Sequence, residues 1–277
     1  MSQFDRQELI EGWDQRKLQA SCIAINGRGW TGTFLTWACC SMGIGQVIWI
    51  GSPRKETQRF ADWFLSEQCP FPNSTLVELP FDAQYDEGLE WGISQSGVAP
   101  LVCVNTNNDA DAKCVLDRVF AQRNGAVLLE GSAGNSGLVS VGNGTLDHRQ
   151  IDLPDDPAIA MAVAALLSDE ARSTICPLPS DIPFEGGALG WSQVPRNERV
   201  MRNAMLIGCG GIGCWAATLL ALYGHKLFIH DSDHVELSNL PRQGLFSVDD
   251  AVERRNKATS VKQRLNELVP GADIVHR

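Results

Sequence analysis

The clearest pattern along the chain is an apolar strand, a glycine-rich turn and a helix with small residues, and this pattern occurs twice. The first copy, residues 24–52, reads AINGRGWTGTFLTWACCSMGIGQVIWIGS, and the second, residues 205–233, reads MLIGCGGIGCWAATLLALYGHKLFIHDSD. A shift of 181 residues aligns the two copies without a gap and places their glycines on one another. Each copy ends in a second apolar strand, so each predicts one half of a doubly wound, parallel α/β fold.

The alternation of helical and strand-like segments continues after the first copy. Its members are a helix at 54–66, strands at 74–79 and 99–104, a helix at 109–123, strands at 126–130 and 137–142, and a helix at 155–172. The Pro/Gly-rich stretch CPLPSDIPFEGGALG follows and indicates a linker. We therefore predict a first domain at 1–172, a linker at 173–200 and a second domain at 201–277. The second copy ends where residue 96 ends in the first, so the second domain is expected to be only the amino-terminal half of a Rossmann-like domain.

Composition and charge exclude several classes of function. The net charge is −10 without a basic stripe, which argues against nucleic acid and against an anionic membrane surface as partners. The longest apolar run, AIAMAVAALL at 158–167, is too short to span a bilayer, and residues 1–15 lack a signal core. The nine cysteines are scattered without paired CxxC motifs, so we expect a reduced, cytoplasmic protein and assign no residue as a metal ligand.

The second glycine turn carries the first candidate chemistry. Its glycines are Gly208, Gly210, Gly211 and Gly213, placed between a strand and a helix. Glycines there let a phosphate approach the backbone and the free N–H groups at the start of the helix. Asp231 ends the next strand and could accept hydrogen bonds from ribose hydroxyls. These features fit a nicotinamide dehydrogenase as well as an ATP enzyme, and glycines placed only for packing are the alternative.

The polar loop after Asp231 separates these alternatives. Asn239, Arg242 and Gln243 follow within twelve residues, and Lys257 begins the helical segment NKATSVKQRLNEL. Two cations and two amides beside a phosphate-binding turn can hold a triphosphate and the charge that develops during attack on it. A dehydrogenase has no use for such a loop. The alternative reading is a solvated loop beside a basic helix face.

In order and spacing, GxGGxG, DxD, SNLxRQxLF, a lysine before a helix and NxxVP resemble the superfamily of ubiquitin-activating enzymes and ThiF/MoeB adenylyltransferases. The resemblance covers 203–277 and implies that ATP is held by the four glycines, Asp231, Asn239, Arg242, Gln243 and Lys257. Asp233 matches the second acid of the DxD pair. The implied reaction adenylates the carboxy-terminal carboxylate of a ubiquitin-like or sulfur-carrier protein. The resemblance places the magnesium ligand and the thioester-forming cysteine beyond residue 277.

Residues 1–172 resemble the same superfamily more weakly, as an inactive partner domain. Arg6 matches the arginine that reaches the partner domain's ATP, and an exposed arginine on an amphipathic helix is the alternative. At the offset of 181 residues, the positions that would face the nucleotide have lost their charged groups: Ile50 replaces Asp231, Ser52 replaces Asp233 and Ala61 replaces Arg242. Trp30 occupies the middle of the turn. Asn107 stands at the magnesium position. We therefore expect this copy not to bind ATP.

The resulting hypothesis is an activating enzyme for a ubiquitin-like modifier, with paired inactive and active adenylation domains. Its expected partners are a ubiquitin-like or sulfur-carrier protein that ends in glycine, and a conjugating enzyme. We expect the chain to be the amino-terminal portion of a longer enzyme, or one half of a split one. The alternatives are a ThiF/MoeB-type sulfur-carrier adenylyltransferase, a non-catalytic scaffold and, least favoured, an NAD-dependent oxidoreductase.

Overall fold

The structure is a computed structural model, and it divides the chain into two compact units. It describes residues 3–51, 55–66, 75–79, 101–106, 127–133, 137–141, 156–182, 188–190 and 202–276. The larger unit comprises Glu8–Thr57 and Asn73–Pro195. The smaller unit comprises Met1–Gln7, Gln58–Pro72 and Arg196–Arg277. The sequence analysis assigned residues 1–7 and 58–72 to the first domain, whereas here they fold with the second copy.

The larger unit is built on one seven-stranded sheet with the order β3-β2-β1-β4-β5-β6-β7. Its strands are β1 Cys22–Asn26, β2 Gln46–Ile50, β3 Thr75–Leu79, β4 Val102–Asn105, β5 Val127–Ala133, β6 Gly137–Val141 and β7 Ala188–Gly190. Strands β1 to β5 are parallel, and β6 and β7 are added antiparallel. Reversal of strand order at β1 and β4 defines a Rossmann-like sheet, so the predicted α/β class is confirmed.

Two long helices cover this sheet, and a short helix precedes it. Helix α1 spans Gln15–Gln19. Helix α2 spans Gly29–Ser41, is buried along nearly its whole length and packs on α4, Pro157–Ile175. The Asp156 side chain caps α4 through the N–H groups of residues 158 and 159. No helix in the described ranges is long and apolar enough to cross a membrane.

The smaller unit contains a parallel sheet with the order β10-β9-β8. Its elements are α3 Gln58–Leu65, β8 Asn203–Ile207, α5 Gly211–Leu222, β9 Lys226–His230, α6 Val248–Val252, α7 Lys257–Leu268 and β10 Ile274–His276. Within the described residues β8 pairs only with β9, and Met205 and Ile207 on it are 76% and 77% exposed. Its homologue β1 is buried at every position between β2 and β4.

The predicted linker contains regular structure where the chain is described. Helix α4 continues to Ile175, three residues past the predicted boundary, and β7 pairs with β6 inside the sheet. The end of α4 lies within the predicted linker at 173–200, and β7 lies in its proline- and glycine-rich stretch. Prolines and glycines there separate short elements of the larger unit, since a proline can follow a helix and a glycine can sit in an edge strand.

The gapless offset of 181 residues between the two copies is wrong after helices α2 and α5. Residues 42–45 connect α2 to β2, whereas only residues 223–225 connect α5 to β9. The first connection is thus one residue longer, and it contains Gly45, where a Cβ atom would lie 1.8 Å from the Gln19 carbonyl oxygen.

Strand register therefore changes the equivalences expected for the first copy. Asn26 pairs with Ile50 and Ile207 pairs with His230, so Gly51, rather than Ile50, is equivalent to Asp231. The Ser52 assignment shifts with it, and Ser52 lies outside the described residues. Ala61 lies within helix α3, whereas Arg242 lies in a loop, so these two are not equivalent. No carboxylate stands at the Asp231 position of the larger unit.

Opposite charges join the end of α4 to the chain that follows it. The Arg172 guanidinium, 5% exposed, donates to both carboxylate oxygens of Asp181 at 2.8 and 2.7 Å and also bonds to Asp169. Hydrogen bonding from Arg172 holds the pKa of Asp181 well below its usual range. This bond contributes stability above the ordinary carboxylate pKa, near 4, and the contribution is lost as pH falls below it.

We predict that Asp181→Asn removes part of the acid sensitivity of the larger unit. The wild type should lose more thermal stability than the variant between pH 6 and pH 3, because only in the wild type does residue 181 bind a proton on unfolding at pH 3. Thermal melts followed by circular dichroism at both pH values measure this difference. An identical loss in both proteins would contradict the prediction, and Asp62→Asn, on exposed helix surface elsewhere, is the control.

Candidate functional site

The second glycine turn is shaped by one close contact between its first and last glycines. Gly208 has φ +95°, which favours glycine, and its N–H donates to the His230 carbonyl at 2.8 Å. A Cβ atom on Gly213 would lie 2.0 Å from the Gly208 carbonyl oxygen. The start of α5 can therefore pack against the end of β8 only if residue 213 is glycine, which confirms the packing role that the motif also allows.

Two glycines of this turn meet no other described atoms beyond their neighbours in sequence. No atom of the described chain lies within 4 Å of a Cβ built on Gly208 or Gly210. The equivalent Gly27 is covered, since a Cβ there would lie 2.2 Å from Thr106 Oγ1. Gly210 is the N-cap of α5, so the positive end of this twelve-residue helix lies at this turn without a side-chain cap.

Asp231 ties the turn to the loop that follows β9. One of its carboxylate oxygens accepts a hydrogen bond from the Cys209 N–H, and the other accepts from the Asp233 N–H at 2.8 Å. Each oxygen retains a second lone pair, so the carboxylate can still accept from a ligand hydroxyl. The carboxylate predicted for the ribose therefore also holds the backbone of the site in place.

Lys257 reaches the same place from the start of α7. Its Nζ lies 3.1 Å from Asp233 Oδ2, and its own N–H donates to the Asp233 carbonyl at 2.9 Å. The lysine side chain is 10% exposed and the aspartate 72%, so the ammonium is held on a carboxylate that remains largely in water. Such an exposed pair is weak, and the ammonium can exchange to an anion.

Asn256 is a site residue that the sequence analysis missed. Its Nδ2 donates to the carbonyls of Asp231, at 2.7 Å, and Asp233, at 3.3 Å, and its Oδ1 caps α7 by accepting from the Thr259 N–H. An asparagine before a helical run is an N-cap signal, so its capping role was readable from the sequence. Its hold on the two aspartate carbonyls depends on the fold.

The loop of residues 237–246 carries the remaining predicted residues. Asn239 Oδ1 accepts from the Glu236 N–H at 3.1 Å, so that oxygen is used within the loop. Arg242 donates from Nη1 to the Ser238 carbonyl at 2.8 Å, and its Cδ and Cγ lie 3.8 and 3.9 Å from a Cβ built on Gly211. The stem of Arg242 therefore lies directly over the glycine turn.

Gln243 is almost fully buried in this loop, with 2% of its surface exposed. Its Oε1 accepts no hydrogen bond from the described part of the chain. A buried polar oxygen without a donor costs about 1 to 3 kcal/mol, so a ligand or water that donates here would be stabilised.

Arg6 lies near Arg242, although most of the chain separates them in sequence. Burial and then the charge of Arg6 lower the pKa of the Arg242 guanidinium. Residues 3–9 form turns around buried Phe4 rather than the helix expected there. Two neighbouring guanidiniums repel each other, and an anion between them would remove this repulsion.

The two cysteines near the turn are packing groups. Burial raises the pKa of the Cys209 thiol to about 12, with Asp231 adding to the rise and Lys257 opposing it. Burial also raises the pKa of Cys214, whose Sγ lies 3.1 Å from the Cys209 carbonyl. Neither thiol ionises near neutral pH, so neither is a nucleophile.

Thus the structure brings the predicted residues together within the smaller unit. The turn glycines, Asp231, Asp233 and Lys257 meet at the end of β8 and β9, and Arg242 and Arg6 approach from the loop and the amino terminus. Asn239 and Gln243 are buried in the loop. Asn107 lies outside the described residues, and among those described no three His, Cys, Asp or Glu side chains are grouped to hold a metal ion.

Comparison with known proteins finds relatives of the carboxy-terminal residues of the chain. Residues 198–277 match the model of the ThiF family. This match confirms, over residues 203–277, the resemblance drawn from the motifs.

Curated relatives agree over the same region. The chain is 40% identical over 72 residues to the NEDD8-activating enzyme E1 catalytic subunit of Arabidopsis thaliana, covering 26% of this chain and 15% of that protein. It is 36% identical over 83 residues to the sulfur carrier protein ThiS adenylyltransferase of Bacillus subtilis (strain 168), covering 29% of this chain and 25% of the relative. The chain thus matches a quarter or less of the length of these two relatives.

Among solved structures, that of E. coli MccB with succinimide covers 66% of this chain and 68% of its own, with 13% identity and a TM-score of 0.43. A likeness at this level carries no conclusion about function.

We predict that Asn256→Ala destabilises the smaller unit by about 2 kcal/mol, half from the lost helix cap and half from the lost bonds to the aspartate carbonyls. Asn256→Ser should cost about half as much, because serine caps the helix but cannot span to both carbonyls. Urea unfolding of the three proteins measures the differences. Equal losses for alanine and serine would show that capping contributes nothing, and no loss for serine would show that the carbonyl bonds contribute nothing.

Proposed function

We propose that the smaller unit binds ATP and adenylates the carboxy-terminal carboxylate of a ubiquitin-like protein, with the rest of the chain as its partner domain. The observation that carries this proposal is the side chain of Arg242, which lies over the glycine turn, together with the Lys257 ammonium, which is bonded to Asp233 beside it. Neighbouring like charges at a helix N-terminus are a site for a multiply charged anion.

The cations match the parts of a triphosphate. Backbone N–H groups of the turn and the positive end of α5 can receive one phosphate group. Arg242 over the turn, Arg6 beside it and Lys257 at the start of α7 can hold the others. Lys257 would leave Asp233 for a phosphate, because a phosphate carries more charge than the exposed carboxylate.

The nucleoside end is supported by two polar groups. Asp231 keeps lone pairs that can accept from ribose hydroxyls. The buried Gln243 Oε1 can accept from a ligand or a bridging water.

The proposed reaction breaks the bond between the α-phosphorus of ATP and the oxygen that bridges to the β-phosphorus. A carboxylate oxygen of the partner's carboxy terminus attacks the α-phosphorus, an acyl adenylate forms and pyrophosphate leaves with the electron pair. The chain's own part is to align the phosphates and to neutralise the charge that builds on the leaving pyrophosphate, through Arg6, Arg242 and Lys257. A magnesium ion would add to that neutralisation, and no described residue is assigned to it.

The larger unit lacks these features at the equivalent places. Thr106 covers its turn, Gly51 replaces the ribose acid, and Trp30 is buried against Phe34 with ring centroids 5.5 Å apart. We propose that this copy does not bind ATP and serves as a pseudo-adenylation domain. The pairing of an active and an inactive copy in one chain favours activation of a ubiquitin-like modifier, with a conjugating enzyme downstream.

A second candidate is adenylation of a sulfur carrier, because one of the relatives is a ThiS adenylyltransferase. Both reactions use the same nucleotide site, so the identity of the protein that stimulates the reaction distinguishes them. The turn and Asp231 alone would also suit a nicotinamide cofactor, but Arg6, Arg242 and Lys257 would then have no role.

We predict that the chain binds ATP in preference to NADH. Arg242→Ala should weaken ATP binding about tenfold or more, because a charge-assisted hydrogen bond contributes about 1.5 to 3 kcal/mol. Arg6→Ala should weaken it less, since Arg6 is exposed. Isothermal titration calorimetry with ATP, adenosine and NADH measures these affinities.

Arg16→Ala is the matched control, an exposed arginine on α1 of the larger unit, and should leave ATP affinity unchanged. NADH binding without ATP binding would disprove the proposed function. The chemical step is measured as exchange of labelled pyrophosphate into ATP by the full product of the gene. Exchange should depend on a ubiquitin-like or sulfur-carrier protein that ends in glycine, and its absence with both would leave the scaffold alternative.

A further inference from the structure

Helix α3 lies in the smaller unit, although the strands before and after it in sequence belong to the sheet of the larger unit. It packs against α7, the helix that begins with Lys257. At its exposed side, Arg59 Nη1 donates to the Glu267 carbonyl at 3.0 Å near the end of α7. A segment of the first copy is therefore a structural part of the unit that carries the candidate nucleotide site.

Trp63 is the buried anchor of this helix, with 5% of its surface exposed. Its indole Nε1 donates to the Gly244 carbonyl at 3.1 Å in a buried hydrogen bond. The Arg264 guanidinium of α7 stacks on the indole ring, 3.4 Å from its centroid. One side chain thus bonds to the loop and stacks on the helix, two elements that both deliver residues to the site.

The position of Gly244 gives this bond its significance. Gly244 follows Gln243 and Arg242 directly, and Leu245 after it is buried. Between Trp63, Leu245 and Trp215 the packing leaves a cavity of only about 10 Å³, about the least space that a water molecule needs. A carbonyl fixed by a buried donor in such a close-packed place restricts the peptide that joins Gly244 to Leu245, and through Gly244 it restricts the backbone that carries Arg242.

We infer that Trp63 is a positioning residue for the nucleotide loop: its bond to Gly244 holds Arg242 in the orientation that receives a triphosphate. The functional part of this inference rests on the proposed function, whereas the restraint on the loop does not. The first copy would then contribute to nucleotide binding through α3 as well as through Arg6.

The test replaces Trp63 with phenylalanine, which retains a ring to stack on Arg264 and removes the indole N–H. Trp63→Phe should weaken ATP binding about fivefold, the effect of one lost hydrogen bond, and change adenosine binding less than twofold. A general loss of structure would weaken both ligands alike. Trp13→Phe is the matched control, because it removes an indole N–H that donates to Gln15 Oε1 at 3.0 Å in the larger unit.

Hydrogen exchange measured by mass spectrometry separates failure of this inference from failure of the proposed function. Without any ligand, Trp63→Phe should raise exchange in the peptide that covers residues 240–246, and Trp13→Phe should not. Unchanged exchange there would overturn the inference, as would an equal loss of affinity for ATP and adenosine. If the wild type binds no ATP, the proposed function fails and exchange alone decides whether Trp63 restrains the loop. Should Trp63→Phe not fold, Trp63→Met, a flexible side chain without a donor, replaces it with the same expected results.

Discussion

The contact between the first and last glycines of the turn is the constraint on which the rest of the site depends. In both copies a Cβ on the last glycine would meet the backbone of the first, at 2.6 Å in Gly32 and 2.0 Å in Gly213. The helix start is thereby held on the strand end, and its free N–H groups point beyond the carboxyl edge of the sheet. In the larger unit Thr106, which follows β4, covers the turn, and in the smaller unit the stem of Arg242 lies over it. Shared backbone geometry makes an anion site possible, and the groups around it decide whether one exists.

Charge around the turn of the smaller unit runs against the charge of the whole chain. The protein carries a net charge of −10, yet Arg6, Arg242 and Lys257 gather at one end of a small sheet. The backbone supports this arrangement, because the carboxylate of Asp231 is bonded to two backbone N–H groups, one of them in the turn. A local cluster of cations in a chain of net negative charge attracts an anion to that place. The cost of holding the cations together is offset only when the anion is bound.

The sequence predicted the α/β class and most of the site because both depend on local order: strand, turn, helix, strand, and then a polar loop. It failed where a single additional residue or a contact between residues distant in sequence determines the structure. The extra position at Gly45 shifted the equivalence of Asp231 from Ile50 to Gly51, since strand register is visible only in the paired backbone. Asn256 carried an N-cap signal, but its bonds to two carbonyls depend on how the loop folds back. Trp63 could not be found at all, because nothing in α3 reveals that it packs beside residue 244.

Chain order and structural units differ in this protein. Residues 3–7 and 58–66 are joined in sequence to the larger unit and folded into the smaller one. A polypeptide that began at the predicted linker would lose Arg6, and it would also lose the ring that stacks on Arg264 and the donor to the Gly244 carbonyl. Loss of the ring would expose apolar surface, and loss of the donor would leave a buried carbonyl without its partner, which is costly. The smaller unit therefore depends on a segment of the first copy for its own packing, independently of what either unit binds.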